Sequence, residues 1–374
     1  MKITAFVRDD GPCGYYRVTL PYSVWAMNDP FVIVDFAKQG IGINELASML
    51  EDSDVVVVPR PGEPNFHILI NEMKKEGKRI VVEFDDNLFD VSPFSNHYAH
   101  LGTKEVVVAL KDGSKMKLWE DGKNIDIKKN VERMNYFKRT LEIADAVTVT
   151  TDILADIYRE YNGNVYVLPN SIDVNMWKAL PFQRTEEVRF GWFGGSSHYE
   201  DLMIIKEPVR LIMEAYENTR FVVFGQAFKG FIKDLPEDRV EIHPWVNIER
   251  YHYEAMMMNL DFAVIPLVDN DFNRCKSPIK WIEMSAMEVP CVMSLVSPYR
   301  EVYTGENAIM IEDNDESAWF SGMSEMIESS ILRKSIGAKA RKDVEANFDI
   351  NKNWRLWKFS LEEVLNGSTN TADV

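Results

Sequence analysis

A short run in the last third of the chain places two cations, a hydroxyl and an acid at helical spacing. Lys276 and Ser277 precede Pro278, and Lys280 and Glu283 follow it on adjoining turns. Ser277 can cap a helix, and proline suits the first helical turn. A helix N-terminus attracts phosphates through its dipole and unpaired N–H groups. The pattern indicates a phosphate-binding helix end, although its period is equally that of an amphipathic helix with a solvated charged flank.

A second candidate loop follows a strand pattern at 188–193. Gly194 and Gly195 allow the backbone to approach a ligand closely, because they carry no side chain. Ser196 can cap the next helix or bind phosphate, and His198 can either donate to a phosphate oxygen or play a structural part. This strand, loop and helix predict another phosphate-facing edge.

The first loop of the chain repeats this order. A strand pattern at Ile3–Val7 leads into Gly14, Tyr15 and Arg17, with a helix predicted from Tyr15 to Met27. Such an opening is typical of nucleotide-binding α/β domains. We expect this loop to face a ligand, with Arg17 as an ordinary surface residue remaining the alternative.

Two adjacent acids, Asp85 and Asp86, follow the strand pattern at 79–84. Open α/β sheets bind ligands at the carboxyl ends of their strands. One cluster of neighbouring acids does not complete the octahedral oxygen shell of a divalent cation, so no metal is predicted. We expect both residues to bind an acceptor or line its site, with loop capping as the alternative.

Continuous apolar strands alternate with helical patterns along most of the chain, which is typical of parallel sheets covered on both faces. The predicted fold class is therefore α/β, in two similar halves. The first half spans 1–180 and the second 187–348, joined by a polar, proline-bearing linker. A helix at 349–366 and a flexible tail at 367–374 follow.

The segment 104–124 interrupts this alternation, because its strand, Asp-Gly turn and strand predict a hairpin. The wider segment 104–139 has eight lysines and two arginines against six acids, a net +4 in a chain of −17, so the remainder carries −21. The hairpin lysines are Lys111, Lys115 and Lys117, close to Trp119. Cations beside an aromatic ring suit nucleic acid, whereas a solvated hairpin would be charged in any case.

The composition of the chain limits the class of protein to which it can belong. At 374 residues, with 46% hydrophobic and 27% charged residues, the chain is long enough for two soluble domains. It contains no apolar run of the ~20 residues that span a membrane, and its start is typical of a strand. A net charge of −17 argues against a surface that binds nucleic acid everywhere. Three cysteines without metal-ligand spacing favour a reducing compartment, and a cytoplasmic location is expected.

Several of these segments resemble glycosyltransferases of the GT-B fold, especially family 4. The segment 274–294 resembles their donor-binding helix, where Glu283 matches the glutamate that holds the ribose of a nucleotide sugar. The usual second glutamate, eight positions earlier, is Cys275 here. The loop from Gly194 to Asp201 resembles a glycine-serine-histidine-aspartate variant of the family.

Two further segments resemble this group. The run Gly14–Arg17 with Pro21 resembles its first loop, and Pro169–Asp173 resembles the segment that ends its first domain, with Ser171 in place of glycine.

The resemblance implies two Rossmann-like domains facing across a cleft, with the C-terminal helix crossing back to the first. It implies retaining transfer of a hexosyl or pentosyl group from a nucleotide sugar, a UDP-sugar, without metal or covalent cofactor. The cations that would stabilise the leaving diphosphate are Lys276, Lys280 and His198. The donor-binding residues would be Gly14, Tyr15, Arg17, Gly194, Gly195, Ser196, Ser277 and Glu283.

The acceptor stays open between a surface glycan and a modified DNA base, the latter as in bacteriophage-type DNA-modifying members. Asp85, Asp86 and the hairpin lysines are the candidate acceptor residues. The alternatives are a sugar-nucleotide epimerase of the same fold and a non-catalytic nucleotide-sugar binding module.

Overall fold

The computed structural model describes residues 1–110, 112–181 and 186–367. The strands are β1 Lys2–Val7, β2 Ile33–Lys38, β3 Val55–Pro59, β4 Arg79–Glu83, β5 Val106–Ala109, β6 Lys115–Trp119, β7 Ala146–Val149, β8 Val165–Val167, β9 Val188–Gly194, β10 Thr219–Gly225, β11 Val240–His243, β12 Phe262–Ile265, β13 Cys291–Ser294 and β14 Ile309–Ile311. The tail predicted at 367–374 lies outside the described residues except for Gly367, as do residues 182–185 of the predicted linker.

The helices alternate with these strands. They are α1 Pro12–Gly14, α2 Leu20–Asn28, α3 Ile43–Glu51, α4 Pro64–Lys75, α5 Tyr98–Leu101, α6 Ile127–Ile143, α7 Asp152–Arg159, α8 Tyr199–Ile204, α9 Lys206–Ala215, α10 Lys229–Ile232, α11 Ile248–Met257, α12 Asp271–Arg274, α13 Ile279–Ala286, α14 Tyr299–Val302, α15 Glu316–Glu328, α16 Ser330–Asn347 and α17 Ile350–Leu365. In the described part of the chain, no helix is long and apolar enough to cross a membrane.

Contacts between residues divide the chain into two compact units. The first comprises Met1–Asn170, Cys275–Ser277 and Asn351–Val374, and the second comprises Ser171–Arg274 and Pro278–Ile350. The three residues Cys275–Ser277 thus belong to the first unit, although both of their neighbours in sequence belong to the second.

In the first unit, the described strands form a parallel sheet in the order β2-β1-β3-β4-β7-β8. The valine-rich β3 is buried along its whole length, as expected for a strand covered on both faces. Ile70 of α4, Phe137 of α6 and Tyr158 of α7 belong to the same hydrophobic cluster as Val56 and Val58 of β3. Strand β1 pairs with both β2 and β3, which creates a switch point where ligands of open sheets bind.

The sheet of the second unit has the order β11-β10-β9-β12-β13-β14 among the described strands, again parallel. Its core contains Phe190, Phe221 and Phe262, with the ring of Phe190 centred 5.1 Å from Phe221 and 5.2 Å from Phe262. Strand β9 pairs with β10 on one side and β12 on the other, so the switch point lies at the carboxyl end of β9.

Prolines interrupt two helices that were predicted to be continuous. The segment predicted as one helix from Tyr15 to Met27 begins with a π-helical turn, Tyr15–Thr19, because Pro21 has no N–H for the carbonyl of Arg17. The helix predicted to follow the Gly194 loop is divided into α8 and α9, because Pro208 cannot donate to the carbonyl of Ile204.

Candidate active site

Two glycines let the ends of β9 and β10 approach closely in the second unit. A Cβ atom on Gly194 would lie 2.4 Å from the ring of Trp192. Gly225 has φ of +112°, and a Cβ atom there would lie 2.4 Å from the carbonyl oxygen of Gly194. A Cβ atom on Gly195 would meet no described atom within 4 Å. The first two positions therefore require glycine sterically, whereas the backbone of Gly195 is open to a ligand.

A histidine bound to a carboxylate follows this loop. The residues Ser196–His198 form a 3₁₀ turn, and α8 begins without a side-chain cap. Nδ1 of His198 lies 2.7 Å from Oδ2 of Asp201. The other carboxylate oxygen accepts hydrogen bonds from the backbone N–H of Val268 (2.8 Å) and from the side-chain amide of Asn273 (2.9 Å). These contacts fix the carboxylate in place beside the imidazole.

The protonation state of this pair follows from its surroundings. Burial alone would raise the pKa of Asp201, but His198, the Val268 amide and Lys280 together bring that pKa below its usual value. The ionised carboxylate accepts a hydrogen bond, so Nδ1 of the imidazole carries a proton.

Helix α13 brings a cation and an acid to the same unit. Nζ of Lys280 lies 5.6 Å from the ring centre of Trp192, which lies near the end of β9. Glu283 is only 4% exposed, and its Oε2 accepts a hydrogen bond of 2.9 Å from the hydroxyl of Tyr251. Burial and the neighbouring carboxylate raise the pKa of Tyr251 well above its usual value, so this hydroxyl remains a donor.

The start of α13 differs from the prediction. The helix begins at Ile279, with Pro278 at its N-cap and no side-chain cap. The Ser277 hydroxyl, predicted to cap it, instead accepts a hydrogen bond of 2.7 Å from the side-chain amide of Asn170. Ser277 does not cap α13 because the helix begins one residue later than a cap at Ser277 would require.

The residues Cys275–Ser277 contribute to the first unit. Nζ of Lys276 lies 3.2 Å from Oδ1 of Asp86. Cys275 is 1% exposed in the hydrophobic cluster of this unit, and its carbonyl accepts a hydrogen bond from the Thr151 hydroxyl at 3.2 Å. Lys276 and Lys280, predicted to act together, therefore belong to different units.

The adjacent carboxyl groups after β4 have different proton affinities. Burial raises the pKa of Asp86, and nearby Asp85 adds to this rise while Lys276 opposes it. Burial also opposes ionisation of Asp85, but the charge of Arg60 and a hydrogen bond from Cys13 bring its pKa below the usual value. Such divergence is typical of acid–base pairs. In the part of the chain that the structure describes, no three His, Cys, Asp or Glu residues are arranged to hold a metal ion.

Hydrogen bonds within the first loop engage its own backbone N–H groups. Oδ1 of Asp9 accepts hydrogen bonds of 3.0 Å from the N–H groups of both Gly11 and Gly14. The N–H of Tyr15 donates to the carbonyl of Gly11 at 3.0 Å, and its ring packs edge-on against Tyr16 at 5.1 Å. The N–H groups of Gly14 and Tyr15, predicted to face a donor, thus have partners within the loop.

The structure gives Arg17 a different role from the predicted donor contact. Its side chain is 2% exposed, and Nε donates to Oε1 of Glu83 at 2.6 Å. Nη1 donates to the carbonyl of Leu168 and to Oδ1 of Asn170, and the guanidinium lies 5.7 Å from the ring centre of Trp357. Arg17 therefore links several elements of the first unit and does not reach an exposed ligand.

In the β5–β6 hairpin, a lysine is exposed as predicted, but the tryptophan expected beside the lysines is packed against another ring. Lys115 is exposed, and Nζ of Lys117 lies 3.4 Å from Glu120. The ring of Trp119 packs against Tyr98, with centroids 5.4 Å apart, and its indole N–H donates to a backbone carbonyl at 2.6 Å. Lys111 lies outside the described residues. The aromatic partner expected beside the lysines is therefore engaged in packing.

Sequence reasoning missed Arg60, Tyr251 and Asn273. Arg60 directly follows β3, so its place at the carboxyl end of a strand was a usable signal. Tyr251 and Asn273 reach partners 32 and 72 residues away, and no local pattern links them.

Residues 187–329 match the family model for glycosyl transferases group 1. This stretch contains the Gly194 loop, His198, Asp201, Tyr251 and Glu283. Nearly all of the matched residues belong to the second unit. The match confirms the predicted resemblance and the prediction of a glycosyltransferase enzyme. No curated protein matches the chain significantly.

Solved structures share the fold of this glycosyltransferase. Sucrose-phosphate synthase from Thermosynechococcus elongatus has a TM-score of 0.65 at 12% identity, covering 98% of this chain and 100% of its own. HepE from Anabaena, in complex with UDP-glucose, has a TM-score of 0.65 at 12% identity, covering 97% and 100%. A putative UDP-N-acetylglucosamine 2-epimerase from Listeria monocytogenes has a TM-score of 0.55 at 10% identity, covering 100% and 99%. The predicted α/β class with two Rossmann-like sheets, the GT-B class, is confirmed.

Proposed function

We propose that this glycosyltransferase moves a sugar from a nucleotide sugar to an acceptor hydroxyl. The observation that carries the proposal is Glu283, a nearly buried carboxylate on α13 of the group 1 domain, held by the hydroxyl of Tyr251. A carboxylate accepts several hydrogen bonds, which suits the paired hydroxyls of a ribose. Glu283 is the residue that binds the donor ribose.

The donor is a UDP-sugar in this proposal. HepE, which shares the fold, has been solved with UDP and with UDP-glucose. This support is an analogy of fold. The loop itself adds a second observation, because the backbone at Gly195 is open and Ser196 begins a 3₁₀ turn, so that a diphosphate can approach. These two residues and Gly194 form the diphosphate loop.

Two cations of the second unit stabilise the leaving diphosphate. Charge that develops on a leaving group is stabilised by preorganised donors in a site that excludes water. Lys280 supplies a positive charge, and the hydrogen bond to Asp201 orients the imidazole of His198. Because these groups offset the diphosphate charge, the transfer is proposed to proceed without a metal ion and, as the family resemblance implies, with retained configuration.

The acceptor is bound by the acidic cluster of the first unit. Burial raises the pKa of Asp86, which makes it a stronger base, and Lys276 lies beside it, so this carboxylate can accept a hydrogen bond and a proton from an acceptor hydroxyl. Asp85, which stays ionised, orients the same group. Lys276 is accordingly assigned to the acceptor side.

The hairpin favours a glycan acceptor over a DNA base. Nucleic-acid binding needs exposed rings on which bases stack, and Trp119 is packed against Tyr98. Lys117 is already near Glu120, which lowers its value as a phosphate contact.

Sugar-nucleotide epimerisation is the second candidate function. The observation that favours it is the fold match to the Listeria protein, a putative UDP-N-acetylglucosamine 2-epimerase, over the full length of both chains. Epimerisation needs one substrate and no acceptor, so product analysis separates it from transfer.

The test incubates the purified protein with a panel of nucleotide sugars, with and without glycan acceptors, and identifies products by mass spectrometry and NMR. We expect UDP release and a glycosylated product with the donor's anomeric configuration, unchanged by EDTA. Glu283→Ala should abolish most turnover, while Glu249→Ala, an exposed acid on α11, should not. A 2-epimer without transfer would establish the epimerase, and tight binding without any turnover would establish a non-catalytic module.

A further inference from the structure

A cavity of about 600 Å³ lies in the first unit, directly after the β5–β6 hairpin. It is lined by α5, by the turn that follows β6 and by the first two turns of α6. Its volume is within the range of about 300–1,000 Å³ that small-molecule sites occupy. None of the residues that line it takes part in the proposed donor or acceptor contacts, so the cavity is available to a further ligand.

Two side chains join α6 to the segment around α5. The side-chain amide of Asn130, which is 2% exposed, donates to the carbonyls of Ala99 at 3.1 Å and Gly102 at 2.8 Å. Nη1 of Arg133 donates to the carbonyl of His100 at 2.9 Å. These bonds fix two walls of the cavity relative to each other, so that little order has to be gained when a ligand binds.

The turn after β6 is joined to the start of α6 by two carboxylates. Oδ1 of Asp121 accepts a hydrogen bond of 3.0 Å from the backbone N–H of Ile127. Oδ1 of Asp126 accepts one of 2.9 Å from the N–H of Lys129 and thereby caps α6. Each carboxylate has a second oxygen, which remains able to accept a hydrogen bond from a ligand.

Charges of both signs line the cavity. Lys129 and Arg133 are four residues apart on α6, so their side chains share one face of the helix. Asp121 and Asp126 supply the negative charges, and Lys123 is already paired with a glutamate at 3.0 Å. In the part of the chain that the structure describes, the first four form no ion pair with any residue. Exposed charges on a convex surface are ordinarily solvated one by one, whereas these four share a concave site that is close to neutral.

A ligand with several hydroxyl groups fits this arrangement best. A hydroxyl group donates one hydrogen bond and accepts others, so it uses cationic donors and carboxylate acceptors alike. Hydrogen bonds to charged groups are about twice as strong as those between neutral groups. Ala99 and Ile125 supply apolar lining for the C–H groups of a sugar ring. A phosphate or carboxylate, by contrast, would be repelled by the two aspartates.

A short segment connects the cavity to the acidic cluster of the first unit. His97 directly precedes α5, whose residues Ala99 and His100 line the cavity. Burial lowers the pKa of His97, and the charge of Asp86 partly offsets that change. Since the interaction between charges weakens with distance, His97 lies close to Asp86. The cavity therefore adjoins the region of the proposed acceptor carboxylate.

We propose that this cavity is a subsite for a neutral sugar residue of the acceptor glycan. Lys129 and Arg133 donate hydrogen bonds to its hydroxyls, and Asp121 and Asp126 accept hydrogen bonds from them. The inference rests on the proposed function, since it takes the acceptor to be a glycan that reacts near Asp86. It implies that the enzyme prefers an oligosaccharide acceptor, because a single sugar cannot occupy both places.

The experiment measures binding of the native protein and three variants to an array of immobilised neutral and acidic oligosaccharides, without any donor. We expect the native protein to bind neutral oligosaccharides. Lys129→Gln and Arg133→Met should each weaken this binding by about 10-fold or more, because each removes a charged hydrogen-bond donor. Lys128→Gln is the matched control, since Lys128 is an exposed neighbour on α6 that does not line the cavity. It should bind as the native protein does.

The outcomes separate this proposal from the proposed function. Binding that is absent, that is confined to acidic oligosaccharides, or that is equal in Lys129→Gln and Lys128→Gln overturns the subsite. Should Arg133→Met not fold, the two exposed lysines still decide the question. Sugar transfer by a protein that binds nothing on the array leaves the function standing without the subsite. Array binding that depends on Lys129, without transfer from any nucleotide sugar, leaves a sugar-binding cavity and removes the transferase.

Discussion

At the carboxyl edge of the first sheet, charged side chains of neighbouring loops pair with one another. Arg60 pairs with Asp9, and Arg8 lies 2.8 Å from Glu63. In the second unit, neutral groups take part in holding the carboxylates: Tyr251 binds Glu283, and Asn273 binds Asp201 beside His198. The two sheets share the same kind of switch point, so topology alone does not decide how an edge is used.

The difference shows how a binding edge is preserved. Opposite charges that pair within a unit cancel much of each other's field, whereas a neutral donor such as the hydroxyl of Tyr251 cancels none of a carboxylate's charge. This contrast supports the proposed assignment of the donor to the second unit. In the first unit, Asp86 and Lys276, proposed for the acceptor, are paired but retain partial exposure.

The largest expected effect tests the pairing of the first unit. Arg17→Met leaves Glu83 buried without its cation, which should cost about 3–5 kcal/mol of unfolding free energy. Arg8→Met, which breaks the more exposed pair with Glu63, is the matched control and should cost far less. Urea unfolding followed by circular dichroism measures both. Similar losses for the two variants would contradict the buried role of Arg17.

The next effect concerns the leaving group. Lys280→Ala should lower kcat by about 100-fold, because loss of one preorganised transition-state donor typically costs that much, while the Kd for UDP changes little. Lys276→Ala should chiefly raise the KM for the acceptor, since its partner is Asp86. Steady-state kinetics with both substrates varied separates the two cations. If both variants keep native turnover, His198 becomes the main candidate.

Loss of the ribose ligand should weaken donor binding moderately. Glu283→Ala should reduce the affinity for UDP by about 1.5–3 kcal/mol, the range for hydrogen bonds to a charged group. Calorimetry with the native protein, Glu283→Ala and the exposed control Glu249→Ala checks this value. Unchanged affinity in a folded Glu283→Ala protein removes this residue from the site.

The pH dependence of the unfolding free energy tests whether Asp201 of the second unit is ionised in the folded protein. Because the pKa of Asp201 is lower in the folded protein than in the unfolded chain, its ionised form adds stability above the ordinary value of about 4. That contribution is lost as the pH falls through the lower, folded-state pKa. The unfolding free energy should therefore fall less steeply below about pH 4 in Asp201→Asn than in the native protein. Identical pH dependence would show that Asp201 is not held in its ionised form.

The smallest effect is expected at the hairpin. Replacing Lys115 and Lys117 by glutamine should leave thermal stability and any binding of duplex or single-stranded DNA unchanged at both low and high salt. The reason is that the ring of Trp119 packs against Tyr98 and that Lys117 already lies near Glu120. Salt-dependent DNA binding that is lost in the variant would instead establish a nucleic-acid acceptor.

Local pattern was sufficient to predict the elements and the positions of several loops. Buried apolar strands alternating with helices identify a parallel α/β fold, because strands covered on both faces have few polar positions. Glycine loops after β9 and acids after β4 could be placed at ligand-binding edges for the same local reason. The helix breaks at Pro21 and Pro208 were also within reach of sequence, since each proline removes a specific hydrogen bond.

Only the tertiary structure showed which side chains pair with one another. Arg17 meets Glu83 across 66 residues, and Lys276 meets Asp86 across 190. Whether an arginine after a glycine loop faces ligand or protein depends on what the fold places opposite it, and no local period encodes that. The sequence determined which residue types lie near each sheet edge; the tertiary structure decided which of them are neutralised, because ion pairing depends on distance and burial.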